Sequence, residues 1–146
     1  MEQLRERKVV RSENNPVADY CQSLVARALK LTRLSPSNKG CNAVDGSNQT
    51  RYEIKGRRIT KHNPSTQLSV IRDLDSRPFD YLVGVLFNDD FAVTDGYLVP
   101  CEVVKRSAAY KKHVNGWILH LKPELRERPG VRDITTALKK AQSEWA

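Results

Sequence analysis

Residues 39–58 read KGCNAVDGSNQTRYEIKGRR, and the rest of the chain is best interpreted outward from this stretch. Segments 41–44 and 51–54 are short and suited to extended structure. Between them, residues 45–48 (DGSN) form a cluster of turn formers. Two strand-like segments joined by such a cluster predict a β-hairpin.

The second strand of this hairpin carries an acid and a lysine two residues apart. Because side chains alternate along a strand, Glu53 and Lys55 are predicted to project from one face and Ile54 from the other. Arg57 and Arg58 follow directly after a glycine. An acid and a lysine beside a basic strand end make a candidate site for metal-assisted phosphate chemistry.

The length and charge of the chain limit its class. Its 146 residues predict one domain, 1–146, with a substantial core. Residues 1–14 are highly charged, and three interpretations stay open: a short helix, an N-terminal arm that contacts a partner, or a frayed end. Lys and Arg number 25 against 17 Asp and Glu, a net charge of +8. This balance indicates either a polyanionic partner, usually nucleic acid, or a generically basic soluble protein.

The absence of targeting signals and the spacing of the cysteines indicate the cellular location of the protein. No apolar run approaches the length of a membrane span, and the N-terminus lacks the apolar core of a signal peptide. The sequence therefore predicts a cytoplasmic protein that does not associate with membranes. Cys21, Cys41 and Cys101 are widely spaced and include no C-x-x-C pair, so all three are predicted to be reduced, with neither zinc nor disulfides.

The remaining segments predict an alternation of helices and strands. Helices are expected from residue 16 to about 31, from Ser65 or Thr66 through Leu74, from Pro100 to Ala108, and after the capping residue Asp133. Strands are expected at 79–87 and 91–99, with an edge strand at 117–121. This order predicts an α/β sandwich with a mixed central β-sheet flanked by helices.

The hairpin could support hydrolysis of a phosphodiester bond. That reaction needs a nucleophilic water, stabilised charge on the phosphate oxygens and a leaving group that is helped to depart. Mg²⁺ can serve all three needs, and it prefers carboxylate, carbonyl and water oxygens. Glu53 and the Ile54 carbonyl are candidate metal ligands, and Lys55 is a candidate to orient or deprotonate the water.

These residues resemble the PD-(D/E)XK nuclease superfamily, which has the restriction-endonuclease-like fold, and more closely its small bacterial single-domain members. The matching motifs include K-G-x-x-A, R-Y-x-I-K-x-R-R, Q-L-S-x-I-R and F-D-Y-L-V-x-V-L-F. They lie at residues 15–29, 39–43, 46–58, 67–72, 79–87 and 133–134. The resemblance implies an endonuclease that cleaves DNA with Mg²⁺ or Mn²⁺.

The chain departs from that pattern at two acids. Asn42 stands where these proteins have the aspartate that is the main metal ligand, and Gln22 stands where their first helix has a glutamate. Asn42 is thus an uncharged candidate ligand. Asp45 is either a substitute metal ligand or a turn former, and Asp19 is a candidate substitute for Gln22.

The resemblance and the charge pattern also suggest binding residues. Gln67 matches a glutamine of the family pattern and either orients water or phosphate or is an ordinary first-turn residue. The histidines at 62, 113 and 120 lack metal-ligand spacing and are predicted at the surface. The tryptophans at 117 and 145 are predicted in the core rather than as base-stacking platforms. The basic residues around the hairpin are either DNA-backbone contacts or a solvated strand end. They are Lys39, Arg51, Arg57, Arg58 and Lys61.

Two functions follow. The first is a metal-dependent DNA endonuclease, or a silenced form of one, acting on double-stranded DNA and favoured as a homodimer if it cuts both strands. The second is a catalytically degenerate protein that keeps the nuclease fold and binds DNA or a regulatory partner. Cleavage of RNA on the same scaffold is a third, weaker alternative.

Overall fold

The computed structural model of the chain describes residues 16–35, 41–47 and 49–145. In these ranges the α-helices are α1 (Pro16–Leu29), α2 (Cys101–Ser107) and α3 (Thr135–Ser143). The strands are β1 (Thr32–Arg33), β2 (Ala43–Val44), β3 (Arg51–Arg58), β4 (Tyr81–Phe87), β5 (Val93–Pro100), β6 (Ala109–Lys111), β7 (Gly116–Ile118) and β8 (Arg132–Asp133). Short 3₁₀ helices cover Leu74–Ser76, Lys112–Val114 and Pro123–Glu127. The predicted N-terminal arm lies outside the described residues.

The predicted mixed sheet is confirmed. Six strands lie in the order β1-β2-β3-β4-β5-β8, and β6 and β7 form a separate two-stranded sheet. The pairs β1/β2, β2/β3, β4/β5 and β5/β8 are antiparallel, whereas β3 and β4 are parallel. The hairpin predicted from residues 39–58 is therefore β2–β3, with Ala43 opposite Tyr52.

Helices α1 and α3 cover one face of the six-stranded sheet. The apolar side chains of α1 at 20, 21, 24 and 25 are buried, as the helical spacing predicts. They pack with Ile54 of β3 and with Leu138 of α3. Gly56 lets α1 approach β3 closely, because a Cβ there would lie 2.8 Å from the Cβ and Sγ atoms of Cys21. This packing of α1 therefore fixes β3 from one face of the sheet.

The other face of the sheet is covered by α2 and by irregular segments. Its core cluster joins Leu82 and Leu86 of β4 with Leu68, Leu121 and Val104 from the covering layer. Strand β4 is buried at six of its seven positions, as expected for a strand covered on both faces. This cluster lies on the face of the sheet from which Glu53 and Lys55 project.

The helix predicted from residue 65 or 66 to Leu74 is wrong. Apart from the 3₁₀ turn at its end, this segment is extended and pairs with residues 117–121: the Leu68 N–H donates to Leu119 O at 2.9 Å and the Ile71 N–H to Trp117 O at 2.9 Å. Ser65 Oγ accepts the Gln67 N–H in a local turn rather than capping a helix. The three-residue spacing of buried leucine and isoleucine mimicked a helix, and tertiary pairing decided otherwise.

Smaller differences occur elsewhere. Strand β1 was not predicted, the predicted edge strand 117–121 begins as β7 in the small sheet, and α3 begins at Thr135. Asp133 still serves that helix end, because its Oδ1 accepts the Thr135 N–H at 3.0 Å. The three cysteines are free, and all three are buried. No helix within the described ranges is long and apolar enough to span a membrane.

Candidate active site

Strand β3 holds the acid and the lysine on one face, as predicted. Glu53 is opposite Leu82 and Lys55 is opposite Gly84 on the parallel neighbour β4. Leu82 belongs to the core cluster on the α2 side, whereas Ile54 packs toward α1. The side chains of Glu53 and Lys55 therefore lie on the face away from α1, where extended residues 66–72 cover the sheet.

Lys55 is held by that covering segment. Its Nζ donates to Ser69 Oγ at 2.8 Å and to the Val70 carbonyl oxygen at 3.3 Å. Burial lowers the pKa of the Lys55 ammonium below its usual value, and the nearby Glu53 carboxylate opposes this shift. A lysine with a lowered pKa is closer to the neutral form that can accept a proton from water.

Glu53 has the complementary property. Burial raises the pKa of its carboxyl, while Lys55 and the Ile54 backbone N–H act in the opposite direction. It forms no salt bridge within 4.0 Å with any residue in the described ranges. A half-buried carboxylate without an ion-pair partner costs free energy, so it is a candidate to receive a cation from outside.

Asn42 lies next to this pair and is tied to the backbone of β3. Its side-chain Oδ1 accepts the Ile54 N–H at 2.6 Å, and its own N–H donates to Tyr52 O at 2.8 Å. The N–H and C=O of one strand residue point to the same side, so the Ile54 carbonyl also points toward the β2 edge. Of the predicted oxygen donors, Glu53 and Ile54 are thus neighbours on β3, and Asn42 lies beside them on the facing segment of the hairpin.

Gln22 is engaged elsewhere. Its Oε1 accepts a hydrogen bond from Arg33 Nη2 at 3.0 Å, and Arg33 Nη1 donates to Ser23 Oγ at 2.6 Å. The same guanidinium lies 3.5 Å from the Oδ1 of Asp19, and both side chains are nearly buried. No hydrogen bond joins Gln22 to Asn42 or Glu53 among the residues described. Gln22 and Asp19 together hold β1 on α1.

Asp45 has the turn role that was one of its two alternatives. Its Oδ1 accepts the Ser47 N–H at 2.8 Å and the Ser47 hydroxyl at 2.7 Å, and its carbonyl accepts the Gln49 N–H. Its charge also helps to raise the pKa of Tyr52, after the larger effect of burial. Tyr52 packs on the α1 side of the sheet, opposite the face of Glu53.

Gln67 and Arg57 meet beside the site. Arg57 Nη1 donates to the Gln67 carbonyl oxygen at 2.9 Å, and Nη2 donates to Asn63 Oδ1 at 2.7 Å. Gln67 itself pairs with His120 in an isolated bridge, so it is not a first-turn helix residue. Arg57 shares the face of Lys55 and fastens the covering segment to the end of β3.

The other predicted basic residues are spread around the hairpin. Arg51 bonds Asp80 through its N–H at 2.8 Å, which lowers the pKa of that carboxyl. Arg58 is exposed, donates to Asp89 O and lies 4.7 Å above the Phe91 ring. Lys61 is exposed, and Lys39 lies outside the described residues. Of this group, Arg57 is closest in the strand to Lys55.

Ser69 is the site residue that the sequence did not indicate. It lies inside the Q-L-S-x-I-R motif, but the expected helix gave no reason to bring it to Lys55. Leu68, Ile71 and Leu74 have the three-residue spacing of a helix, so no local pattern indicated the extended segment that carries Ser69.

The candidate metal ligands at this site are oxygen donors of mixed type. In the described part of the chain, no three His, Cys, Asp or Glu side chains are grouped to hold a metal ion. The set around Glu53 has one carboxylate, one amide oxygen and one peptide carbonyl. These are oxygen donors that suit a hard cation such as Mg²⁺, but only one of them carries a formal charge.

Comparison of the sequence with models of known protein families and with curated proteins finds no match. The resemblance to PD-(D/E)XK nucleases therefore stays a prediction.

Proposed function

We propose that this protein is a metal-dependent DNA endonuclease of the PD-(D/E)XK type, with a restriction-endonuclease-like fold and a weakened metal site. One observation carries the proposal: Glu53 and Lys55 lie half-buried on the same face of β3, with no salt bridge between them. The pKa of Glu53 is raised and the pKa of Lys55 is lowered, so both shifts favour the neutral form of the side chain. Such opposed shifts are typical of groups kept for chemistry rather than for stability.

The residues of the site have separate tasks. Mg²⁺ or Mn²⁺, when bound, supplies charge stabilisation for the phosphate and a more acidic water. Glu53, the Ile54 carbonyl and Asn42 would hold the ion. Lys55, placed by Ser69 and Val70, accepts a proton from the attacking water in its neutral form and stabilises phosphate charge in its protonated form.

The basic residues around β3 suit a duplex. Arg51, Arg58 and Lys61 can each contact a phosphate, and such contacts position DNA without reading its sequence. Cutting both strands of a duplex calls for a twofold homodimer. A cytoplasmic location is consistent with this substrate and stays a prediction.

A second function is favoured by the state of Asn42. Its oxygen is already committed to the Ile54 N–H, and an amide adds no charge to the metal site. A protein with this site could bind DNA through its basic surface without cleaving it, as a silenced or regulatory member of the same fold.

A plasmid-nicking assay separates the two. The protein, Lys55→Ala and the control Lys139→Ala are incubated with supercoiled DNA in Mg²⁺ or Mn²⁺; Lys139 is exposed on α3, across the sheet from Glu53. We expect the protein and the control to nick, and Lys55→Ala to lose at least 100-fold in rate, the lower range for a removed acid–base group. Nicking that survives Lys55→Ala would refute the nuclease assignment.

Binding is measured in parallel by mobility shifts over a salt series. Salt-dependent binding without nicking by any of the three proteins would support the second function. The absence of both binding and nicking would overturn the two proposals together.

A further inference from the structure

A cleft of about 700 Å³ opens beside the candidate active site, between residues 72–76 and the β6–β7 hairpin. Its walls include Arg72, Asp73, Asp75, Tyr110, Asn115 and Trp117. We propose that this cleft binds one unpaired base of a nucleic acid strand. The base would stack on the aromatic wall while the strand's phosphates lie along the lysines of the hairpin.

The aromatic wall is rigid and open. Tyr110 and Trp117 are a cross-strand pair, with ring centroids 5.0 Å apart in an edge-to-face arrangement. The Tyr110 hydroxyl donates to Asn115 Oδ1 at 3.0 Å, which fixes the ring, yet Tyr110 is 50% exposed. Within the described ranges, no other large hydrophobic side chain is exposed. A solvent-facing aromatic ring held by a hydrogen bond and a ring contact is a surface on which an unstacked base can pack.

The opposite wall presents acceptors. Asp73 and Asp75 are exposed and form no salt bridge with a described residue. Carboxylates accept hydrogen bonds from the N–H groups on a base edge and repel phosphates. Arg72 closes the end of the cleft, since its Nη1 donates to the carbonyls of Val114 and Asn115 at 2.7 and 3.1 Å. The wall therefore favours a base over a phosphate.

Phosphates have a separate place on the hairpin. Residues 103–123 contain no acid and five cations: Lys105, Arg106, Lys111, Lys112 and Lys122. Lys111 and Lys112 are exposed at the turn between β6 and β7. An acidic wall on one side and lysines on the other would orient a nucleotide with its base inward and its backbone outward.

The cleft is joined to the active site by a short extended segment. Ser69 contacts Lys55, Ile71 pairs with Trp117, and Arg72 lines the cleft. Three residues span at most about 11 Å, so the cleft lies within a few nucleotides of Lys55. The inference that the unpaired base sits near the cleaved phosphate rests on the proposed function; base binding itself does not.

The test uses Trp117 as its own reporter. Trp145→Phe leaves Trp117 as the single tryptophan, since the chain has two. This protein is titrated in EDTA with a mixed-sequence 12-nucleotide DNA strand, the RNA strand of the same sequence, and the DNA duplex. Omitting metal separates base binding from cleavage, so failure of one does not imply failure of the other.

We expect single strands to quench Trp117 fluorescence and to bind more tightly than the duplex. In this background Tyr110→Ala should weaken single-strand binding roughly tenfold, the loss of one stacked base, while Tyr110→Phe stays within twofold. Replacing Lys111 and Lys112 by alanine should lower the slope of log K against log salt by about 1.4. Whichever of the two single strands binds more tightly shows whether the natural strand is DNA or RNA.

The proposal fails if single strands cause no quenching, if the duplex binds as tightly as they do, or if a folded Tyr110→Ala variant binds like its parent. Circular dichroism checks folding. If Tyr110→Ala does not fold, Tyr110→Leu removes the aromatic face while keeping apolar volume, and the same tenfold loss is required of it.

Discussion

The two halves of the candidate site differ in what their polar groups do. On β3, Glu53 and Lys55 are half-buried and form no salt bridge with each other. The pKa of Glu53 is raised and that of Lys55 is lowered, so both shifts favour the uncharged form. Just before β2 and on α1, Asn42 and Gln22 each accept a hydrogen bond within the fold, one from the Ile54 N–H and one from Arg33. Ionisable groups that are buried without an ion-pair partner are typical of functional sites, whereas the two amides make hydrogen bonds that hold the fold.

Under the proposed function, this difference predicts a site that keeps its acid and lysine but binds metal weakly. Asn42 accepts a backbone N–H that a carboxylate oxygen could accept equally well. The amide therefore preserves the geometry of the hairpin while removing one negative charge. The predictions below act on each half in turn, from the largest expected effect to the smallest.

Removing the cation of the structural half should have the largest effect. Arg33→Ala removes the guanidinium that contacts Asp19, Gln22 and Ser23, and loss of one partner of a nearly buried ion pair should lower the free energy of unfolding by about 3–5 kcal/mol. Arg128→Ala, at an exposed position, serves as the control and should change it by no more than about 0.5 kcal/mol. Urea denaturation measures both. A loss of less than about 1 kcal/mol for Arg33→Ala would show that this half does not hold the fold.

Restoring charge next to β3 should convert the structural amide into a functional group. We expect Asn42→Asp to raise the nicking rate at low Mg²⁺ by roughly tenfold or more, because it adds about 1.4 kcal/mol or more of attraction for a cation. Asn88→Asp is the matched control: its Oδ1 also accepts backbone N–H groups, and it lies in an exposed turn. An equal gain from both variants would mean that charge in general, not charge at this position, was limiting.

Neutralising Glu53 should stabilise the protein while abolishing cleavage. The folded pKa of Glu53 is raised, so its carboxylate destabilises the fold at pH values above that pKa, and the penalty disappears as the pH falls below the unfolded value near 4.5. Glu53→Gln should therefore raise the Tm at pH 7.5 by roughly 2–4 °C, as about 1 kcal/mol would in a domain of this size.

The pH dependence supplies the check on Glu53. Scanning calorimetry of the two proteins from pH 7.5 down to pH 4 should show the advantage of Glu53→Gln shrinking steadily. A variant that is less stable than its parent at pH 7.5 would indicate that Glu53 contributes to the fold.

Restoring a negative charge on α1 should have the smallest effect on stability and nicking. Gln22→Glu places a carboxylate against Arg33, which already contacts Asp19, so we expect a change in stability within about 0.5 kcal/mol and no gain in nicking. The same assays apply. A gain comparable to that of Asn42→Asp would place position 22 in the metal site.

Local signals explain what could be predicted. The β2–β3 hairpin and the shared face of Glu53 and Lys55 follow from turn residues and from the alternation of a strand. The mixed sheet follows from the order of the elements. None of these depends on distant contacts, and the structure confirms all three.

Distant contacts explain what could not be predicted. The segment around Leu68 and Ile71 has helical spacing, but it pairs with residues 117–121, almost fifty positions away. That pairing is what brings Ser69 to Lys55. In the same way, no spacing could show that Gln22 would meet Arg33, because the two-residue strand β1 has no local signature.

The most direct measurement is Mn²⁺ binding by titration calorimetry, without DNA, to the protein, Asn42→Asp, and Asn42→Asp combined with Glu53→Gln. We predict that Asn42→Asp binds Mn²⁺ at least about tenfold more tightly than the protein, and that adding Glu53→Gln cancels this gain. Equal affinity of the protein and Asn42→Asp, or a gain that survives Glu53→Gln, would contradict the claim that β3 holds the functional half of a shared metal site.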